Sequence, residues 1–107
     1  MESLSEIIKE DDCVYINDKD GNMVAYVTFP KDQDGIVNIN RTYVDGRLRG
    51  MGIAKKLMDV AYEVIKEKGY KARITCSYAV KYFGENPEKK DIFAEWKNIM
   101  FIQNYCI

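Results

Sequence analysis

The run Arg47-Leu48-Arg49-Gly50-Met51-Gly52-Ile53-Ala54 crowds two arginines and two glycines into the turn before an amphipathic stretch. Glycine lets backbone approach a ligand closely, the first N–H groups of a helix have no internal partner, and the helix dipole favours an anion beside them. Arg47 and Arg49 add donors for charge-assisted hydrogen bonds, so the segment reads as a phosphate cradle. Two familiar phosphate loops do not fit it. A G-x-G-x-x-G fingerprint from Gly50 needs glycine where Lys55 stands, and a G-x-x-x-x-G-K loop needs Gly-Lys where the chain has Lys55-Lys56. The plainer alternative is an arginine-glycine turn that only starts a helix.

Outward from the loop, Gly50 to Lys68 reads as that helix, because Ile53, Leu57, Ala61, Val64 and Ile65 recur on one face and Gly69 can stop it. Before the loop, Cys13 to Asn17 and Asn22 to Phe29 are β-rich and separated by Asp18-Lys19-Asp20-Gly21, a hairpin composition. Pro30 to Gly35 reads as the next turn and Ile36 to Val44 as a third strand. That strand has an irregular phase: Val37 and Ile39 share a face, but Val44 lies an odd number of residues beyond Ile39 and would point the other way. Either Val44 simply ends the strand, or a β-bulge between Asn40 and Tyr43 restores the phase and re-aims a backbone N–H. After the helix, Lys71 to Cys76 is a short strand with Ala72, Ile74 and Cys76 on one face, and a second helix begins at Ser77 and breaks at Asn86-Pro87. A further helix over Pro87 to Met100 is expected from Ile92, Phe93, Trp96, Ile99 and Met100. Strand, crossover helix and strand should pair in parallel, bringing the loop after Val44 and the strand end at Cys76 to one sheet edge, where ligands bind.

Composition bounds what such a site can do. The 107 residues, 47% hydrophobic and 31% charged, suit one domain, and a net charge of -1 offers no broad basic face for nucleic acid. No apolar run spans a membrane and no secretory leader is legible, so a cytoplasmic protein is expected. Cys13, Cys76 and Cys106 lack metal-type spacing and read as reduced thiols, and no metal is expected. With no histidine at all, catalysis has to use carboxylates, tyrosines, thiols, backbone amides or the co-substrate.

The spacing Arg47, Gly50, Gly52 resembles the Arg-x-x-Gly-x-Gly/Ala pyrophosphate loop of the GNAT superfamily of acetyl-CoA-dependent N-acetyltransferases. Thr42-Tyr43-Val44, Arg47 to Ala54, Cys76-Ser77-Tyr78, Lys81-Tyr82 and Glu85-Asn86-Pro87, in that order, narrow the resemblance to the small one-domain GNAT-like family. It implies a truncated GNAT α/β fold over residues 1–107: N-terminal antiparallel strands, a crossover helix and a parallel strand pair at the CoA site. The matched core runs from about 36 to 91, and residues 92–107 form a C-terminal extension. Where that family usually has His-Thr-Glu-Val before the loop, this chain has Arg41-Thr42-Tyr43-Val44, so a base and an acid are missing.

On this resemblance the chain is an N-acetyltransferase using acetyl-CoA as co-substrate and a primary amine as acceptor, with an open acceptor side suited to a polyamine, peptide or lysine. Thr42, Tyr43 and Val44 with the loop residues Arg47, Leu48, Arg49, Gly50, Met51, Gly52, Ile53 and Ala54 would bind CoA, a backbone N–H near Tyr43 or Val44 serving as oxyanion donor. The resemblance singles out Cys76, which stands where larger GNAT enzymes usually have asparagine; it either accepts the acetyl group, helped by a helix N-terminus, or only packs beside the thioester. Tyr82 is the second catalytic candidate, as donor to the departing thiolate, although the register from Cys76 and Ala79 points to Phe83 at that position. The rivals are an acyl-CoA-binding module with little turnover and an interaction domain built on an aromatic tail of Phe93, Trp96, Phe101 and Tyr105.

Overall fold

The computed structural model describes residues 4–94. A short strand β1 (Ile8–Lys9) precedes the expected hairpin of β2 (Cys13–Asn17) and β3 (Met23–Thr28), in which Cys13 stands opposite Thr28 and Tyr15 opposite Tyr26. Asp18 closes the hairpin: its Oδ1 accepts the N–H groups of Asp20 and Asn22, each at 2.9 Å, as short acidic side chains do in turns. Pro30 to Gly35 is not one turn but holds a further strand, β4 (Lys31–Gln33). Pro30 has no N–H, yet its carbonyl accepts Asn38 N–H at 2.9 Å, so pairing resumes beyond the kink and only Asp34-Gly35 reverses the chain.

The expected single strand from Ile36 to Val44 is two strands, β5 (Ile36–Ile39) and β6 (Arg41–Val44), parted at Asn40. Thr28 stands opposite Arg41, and its carbonyl also accepts Asn40 N–H at 3.2 Å while its hydroxyl meets Asn40 Oδ1 at 2.6 Å. Two residues facing one is a β-bulge, placed at Asn40 and Arg41. It resets the phase: Val37 and Ile39 are buried before it, Thr42 and Val44 half-buried after it, and Arg41 and Tyr43 exposed. The two parts then serve different neighbours, since β1-β2-β3-β6 form one sheet and β4-β5 with a later strand form another.

Helix α1 spans Ile53–Glu67 rather than beginning at Gly50. Gly50 and Gly52 have φ of +84° and +75°, left-handed values that only glycine adopts without strain, so helical bonding first starts with Lys56 N–H on Gly52 C=O at 3.1 Å. Leu57, Met58, Ala61, Val64 and Ile65 are buried against β2, β3 and β6. At the far end Gly69 N–H bonds Lys66 C=O at 3.1 Å and Tyr70 N–H bonds Ile65 C=O at 3.0 Å, the paired bonds of a Schellman stop.

Strand β7 (Lys71–Ile74) lies parallel to β5, with Ile36 against Lys71 and Ile39 against Ile74. It stops two residues short of Cys76 because the N–H groups of Thr75 and Cys76 both converge on Ile39 C=O, at 3.1 and 3.3 Å. Helix α2 (Ser77–Glu85) follows and ends where Asn86 Nδ2 bonds Tyr82 C=O at 2.8 Å. Pro87–Ile92 is a 3-10 turn, not the start of a longer α-helix: Phe93 leaves it in extended form, and Ala94 N–H bonds Ala72 C=O on β7 at 2.9 Å. The edge of the Phe83 ring meets Phe93 at 5.1 Å. Trp96, Ile99, Met100, Phe101, Tyr105 and Cys106 lie outside the described residues. Among the described residues no charged or amide side chain is fully buried, and no helix is long and apolar enough to cross a membrane.

Candidate functional site

Beyond the Ile39–Ile74 pair the chain opens into a V. One limb is β6, which follows β3; the other passes through Thr75 into α2 at Cys76. Asp45 N–H bonds Val24 C=O at 2.8 Å, which sets the antiparallel alternation: Arg41 and Tyr43 bond toward β3, and the N–H and C=O of Thr42 and Val44 face the open side. Across the mouth Thr42 Oγ1 and Cys76 Sγ lie 3.4 Å apart, and the thiol is half-buried as the N-cap residue of α2.

The loop that follows β6 wraps back over this edge. Leu48 is buried and anchors it, and Arg49 Nε donates to Val44 C=O at 3.3 Å. A cleft of about 180 Å³ results, lined by Val44, Leu48, Arg49, Gly50, Gly52, Ile53, Ala54, Lys55 and Tyr78. The start of α1 beside it has no side-chain cap and no acidic residue in its first turn; Lys55 and Lys56 stand there instead. Cations at the positive end of a helix dipole are unfavourable by themselves, so an anion placed there would be stabilising.

The expected site residues divide. Seven of the residues assigned to CoA line the cleft, but Arg47 does not. Its Nε lies 3.1 Å from Asp45 Oδ1 and a second guanidinium nitrogen 3.3 Å from Oδ2, and the Arg47 side chain holds the Asp45 carboxyl below its usual value. Met51 is half-exposed and away from the cleft lining. Tyr43 projects from the other face of the sheet, its ring 5.4 Å from that of Tyr26. Tyr82 also stands off the cleft: it is buried, its hydroxyl bonds Asp59, and Lys89 Nζ reaches it at 2.9 Å. Burial and then the Asp59 carboxylate push the phenol up to about 12, against the pull of Lys89. The aromatic side chain that does line the cleft is Tyr78, whose hydroxyl burial raises above its usual value. Tyr78 is only two residues from Cys76, but which tyrosine turns inward depends on Asp59, which claims Tyr82 from another helix.

Cys13, expected to be structural, is half-buried in β2, and burial followed by the charges of Asp12 and Glu10 pushes its thiol up to about 11. Glu10, Asp12 and Cys13 bring ligand atoms within 4.8 Å of one another, with the two acids exposed, as surface acids often are without an ion.

A strand split by a bulge, with a parallel partner on one side of the split and a carboxylate-free helix start beside it, is the frame in which the chain compares with known proteins. The family described as GCN5-related N-acetyl-transferase matches residues 13–92, a wider span than the 36–91 expected from motifs. The chain belongs to that family. Protein NATD1 of Homo sapiens is 44% identical over 52 residues, covering 49% of this chain and 46% of that protein, so the match spans about half the length of this relative. A GCN5-like protein of Staphylococcus aureus, solved in solution, shares the fold with a TM-score of 0.67 and 28% identity, covering 82% of this chain and 86% of its own. The GNAT-family YhbS of Escherichia coli, solved in complex with CoA, aligns with a TM-score of 0.50 and 24% identity over 58% of this chain and 38% of its own, a likeness of fold alone.

Proposed function

We propose that the chain is an acetyl-CoA-dependent N-acetyltransferase acting on a primary amine, built as a single GNAT-like domain and working in the cytoplasm. The observation that carries this reading is the junction of the open β6 edge with an uncapped, carboxylate-free helix start on one cleft. The loop amides, Arg49 and Lys55 would grip the diphosphate, and binding energy far from the thioester would fix the acetyl group. The free edge at Thr42 and Val44 suits the amides of the pantetheine arm, as in strand addition. As the amine nitrogen attacks the thioester carbon, Val44 N–H would donate to the oxygen that gains negative charge. The C–S bond then breaks, the departing sulfur takes a proton from Tyr78, and the new amide gives its surplus proton to water. A phenol raised by burial stays protonated at neutral pH, which suits Tyr78 to that step better than the occupied hydroxyl of Tyr82.

An acyl-CoA-binding module with little turnover is the second reading, favoured by the lack of any carboxylate or histidine from Ile36 to Val44 and from Lys71 to Phe83. A thermal melt decides whether CoA binds at all. At a hundredfold excess over its dissociation constant a ligand specific to the fold adds about 2.7 kcal/mol. For a domain of this size that is a rise of roughly ten degrees or more; an unmoved melt in millimolar acetyl-CoA rejects both CoA readings. Release of free CoA thiol with an amine panel then separates enzyme from module.

Cys76 is tested by trapping. If its sulfur takes the acetyl group and hands it on, acetyl-CoA without amine labels the Cys76 peptide, and the isolated adduct acetylates an added amine as fast as steady turnover. If the amine attacks directly, Cys76→Ala keeps most of its rate and transfer from the adduct is slower than turnover.

A further inference from the structure

We infer that the acceptor carries an anionic group near its amine, a carboxylate or a phosphate, and that Arg41 binds it; this rests on the acetyl-transfer reading above. The helix side of the V is lined by the α1 start, Leu48 and Tyr78, the side assigned to CoA. With CoA along the helix side, the opposite face of the sheet is left open to the amine. Alternation along β6 places Arg41 and Tyr43 on that face, flanking the Thr42–Cys76 contact that spans the mouth.

The cationic side chains of the strands around the vertex are held by neighbours, with one exception. Strands β5, β6 and β7 carry three charged side chains, Arg41, Lys71 and Arg73, and no acid. Lys71 Nζ donates to Asp91 C=O at 3.2 Å, and Arg73 is bonded to Asp32 at 2.9 Å. The amides beside the vertex are also engaged, Asn38 with Thr75 at 3.0 Å and Asn40 with Thr28. Arg41 is exposed, at the first position after the split, and among the described residues it has no hydrogen-bond or ion-pair partner. A polyamine would meet a cation here and no carboxylate to hold its second charge. A carboxylate or phosphate would meet a planar fork of donors that can bind it bidentately. A fixed cation also favours the neutral, nucleophilic form of the approaching amine.

The test uses matched acceptors: β-alanine against β-alaninamide for the carboxylate, phosphoethanolamine against ethanolamine for the phosphate, and spermidine as the polycation. CoA affinity is measured first by calorimetry, so a protein that does not bind CoA fails the parent reading and not this one. With CoA bound, at least one anionic amine should exceed its neutral partner by roughly tenfold or more in kcat/KM. Whichever pair shows the preference identifies the anion. Arg41→Gln should remove that preference mainly through KM, with unchanged CoA affinity and melting temperature, and Arg41→Lys should restore part of it. A CoA-bound protein that acetylates no amine fails the parent reading; the inference is overturned if spermidine is the better acceptor, if neutral amines are acetylated and anionic ones are not, if Arg41→Gln keeps the preference, or if it loses CoA instead.

Discussion

The start of α1 and its later turns use the same kinds of residue to opposite ends. At the helix start Arg49 and Lys55 border a cleft and no acid stands in the first turn. Further along, the same helix presents Asp59, Tyr62 and Lys66 to the segment from Tyr82 to Asp91, and both of these helix charges are paired across it. Lys89 lies 3.0 Å from Asp59, Lys66 lies 2.8 Å from Asp91, Tyr62 donates to Asp91 at 2.9 Å, and Lys89 sits 5.1 Å from the centre of the Tyr62 ring. Charges matched within the molecule fix one segment to another, whereas charges left unmatched around backbone N–H groups are available to an external anion. Lys55 belongs to both regions, lining the cleft and lying 3.5 Å from Asp59.

The strongest way to break this contrast is to put an acid at the unmatched end. Gly50→Asp sets a carboxylate beside the proposed diphosphate and should abolish the acetyl-CoA melting shift altogether. Gly50 faces open space and aspartate tolerates left-handed backbone better than most residues, so the variant should still melt cooperatively. A retained shift would mean that the helix start is not where CoA is held.

A smaller effect separates the two arginines of the loop. Arg49→Ala should weaken CoA by about 1.5–3 kcal/mol, the worth of a charge-assisted contact, and leave pantetheine, which lacks the diphosphate, nearly unaffected. Arg47→Ala should cost CoA clearly less, because Asp45 already holds that guanidinium. Equal losses for the two variants in calorimetry would erase the distinction drawn between them.

The matched region should respond in stability alone. Lys89→Met should destabilise the fold by about 1–2 kcal/mol with CoA affinity unchanged. Burial acts to raise the Asp59 carboxyl, but hydrogen bonds from Tyr82 and Lys89 outweigh it and hold it below 3.8. A carboxyl depressed in the fold contributes stability above its ordinary value and loses it as pH falls through the depressed one. The advantage of the wild type over Asp59→Asn should therefore be full at neutral pH and fade below about 3.8, as read from denaturant unfolding at stepped pH. An advantage that does not change with pH would show that Asp59 acts by packing.

Much of the cleft was legible because its determinants are local. Two glycines and two arginines within six residues, followed by a helical stripe, need no partner elsewhere to be read. The odd spacing from Ile39 to Val44 likewise raised a bulge, beside a strand end at Val44, before any partner strand was known, and the bulge sits at Asn40 and Arg41. Other features were settled at a distance. Strand β7 stops early because Ile39 draws two N–H groups, Tyr82 is taken by Asp59, and β4 exists because β5 pairs with it. Arg47 and Arg49 look alike in sequence and differ only in which one Asp45 captures.

The parallel pairing of β5 with β7 joins Ile36 to Lys71, whereas the strands from β1 to β3 are linked by short turns. Bringing such distant residues together costs loop-closure entropy before any contact offsets it. During synthesis the N-terminal hairpin can close while the crossover helix is still being made, but the vertex of the V needs Ile39, Ile74 and Cys76 at once. The part of the molecule proposed to handle acetyl-CoA is thus expected to be the last to assemble. Until then the inner edge of β6 is an unpaired strand edge, open to a neighbouring nascent chain as readily as to a cofactor.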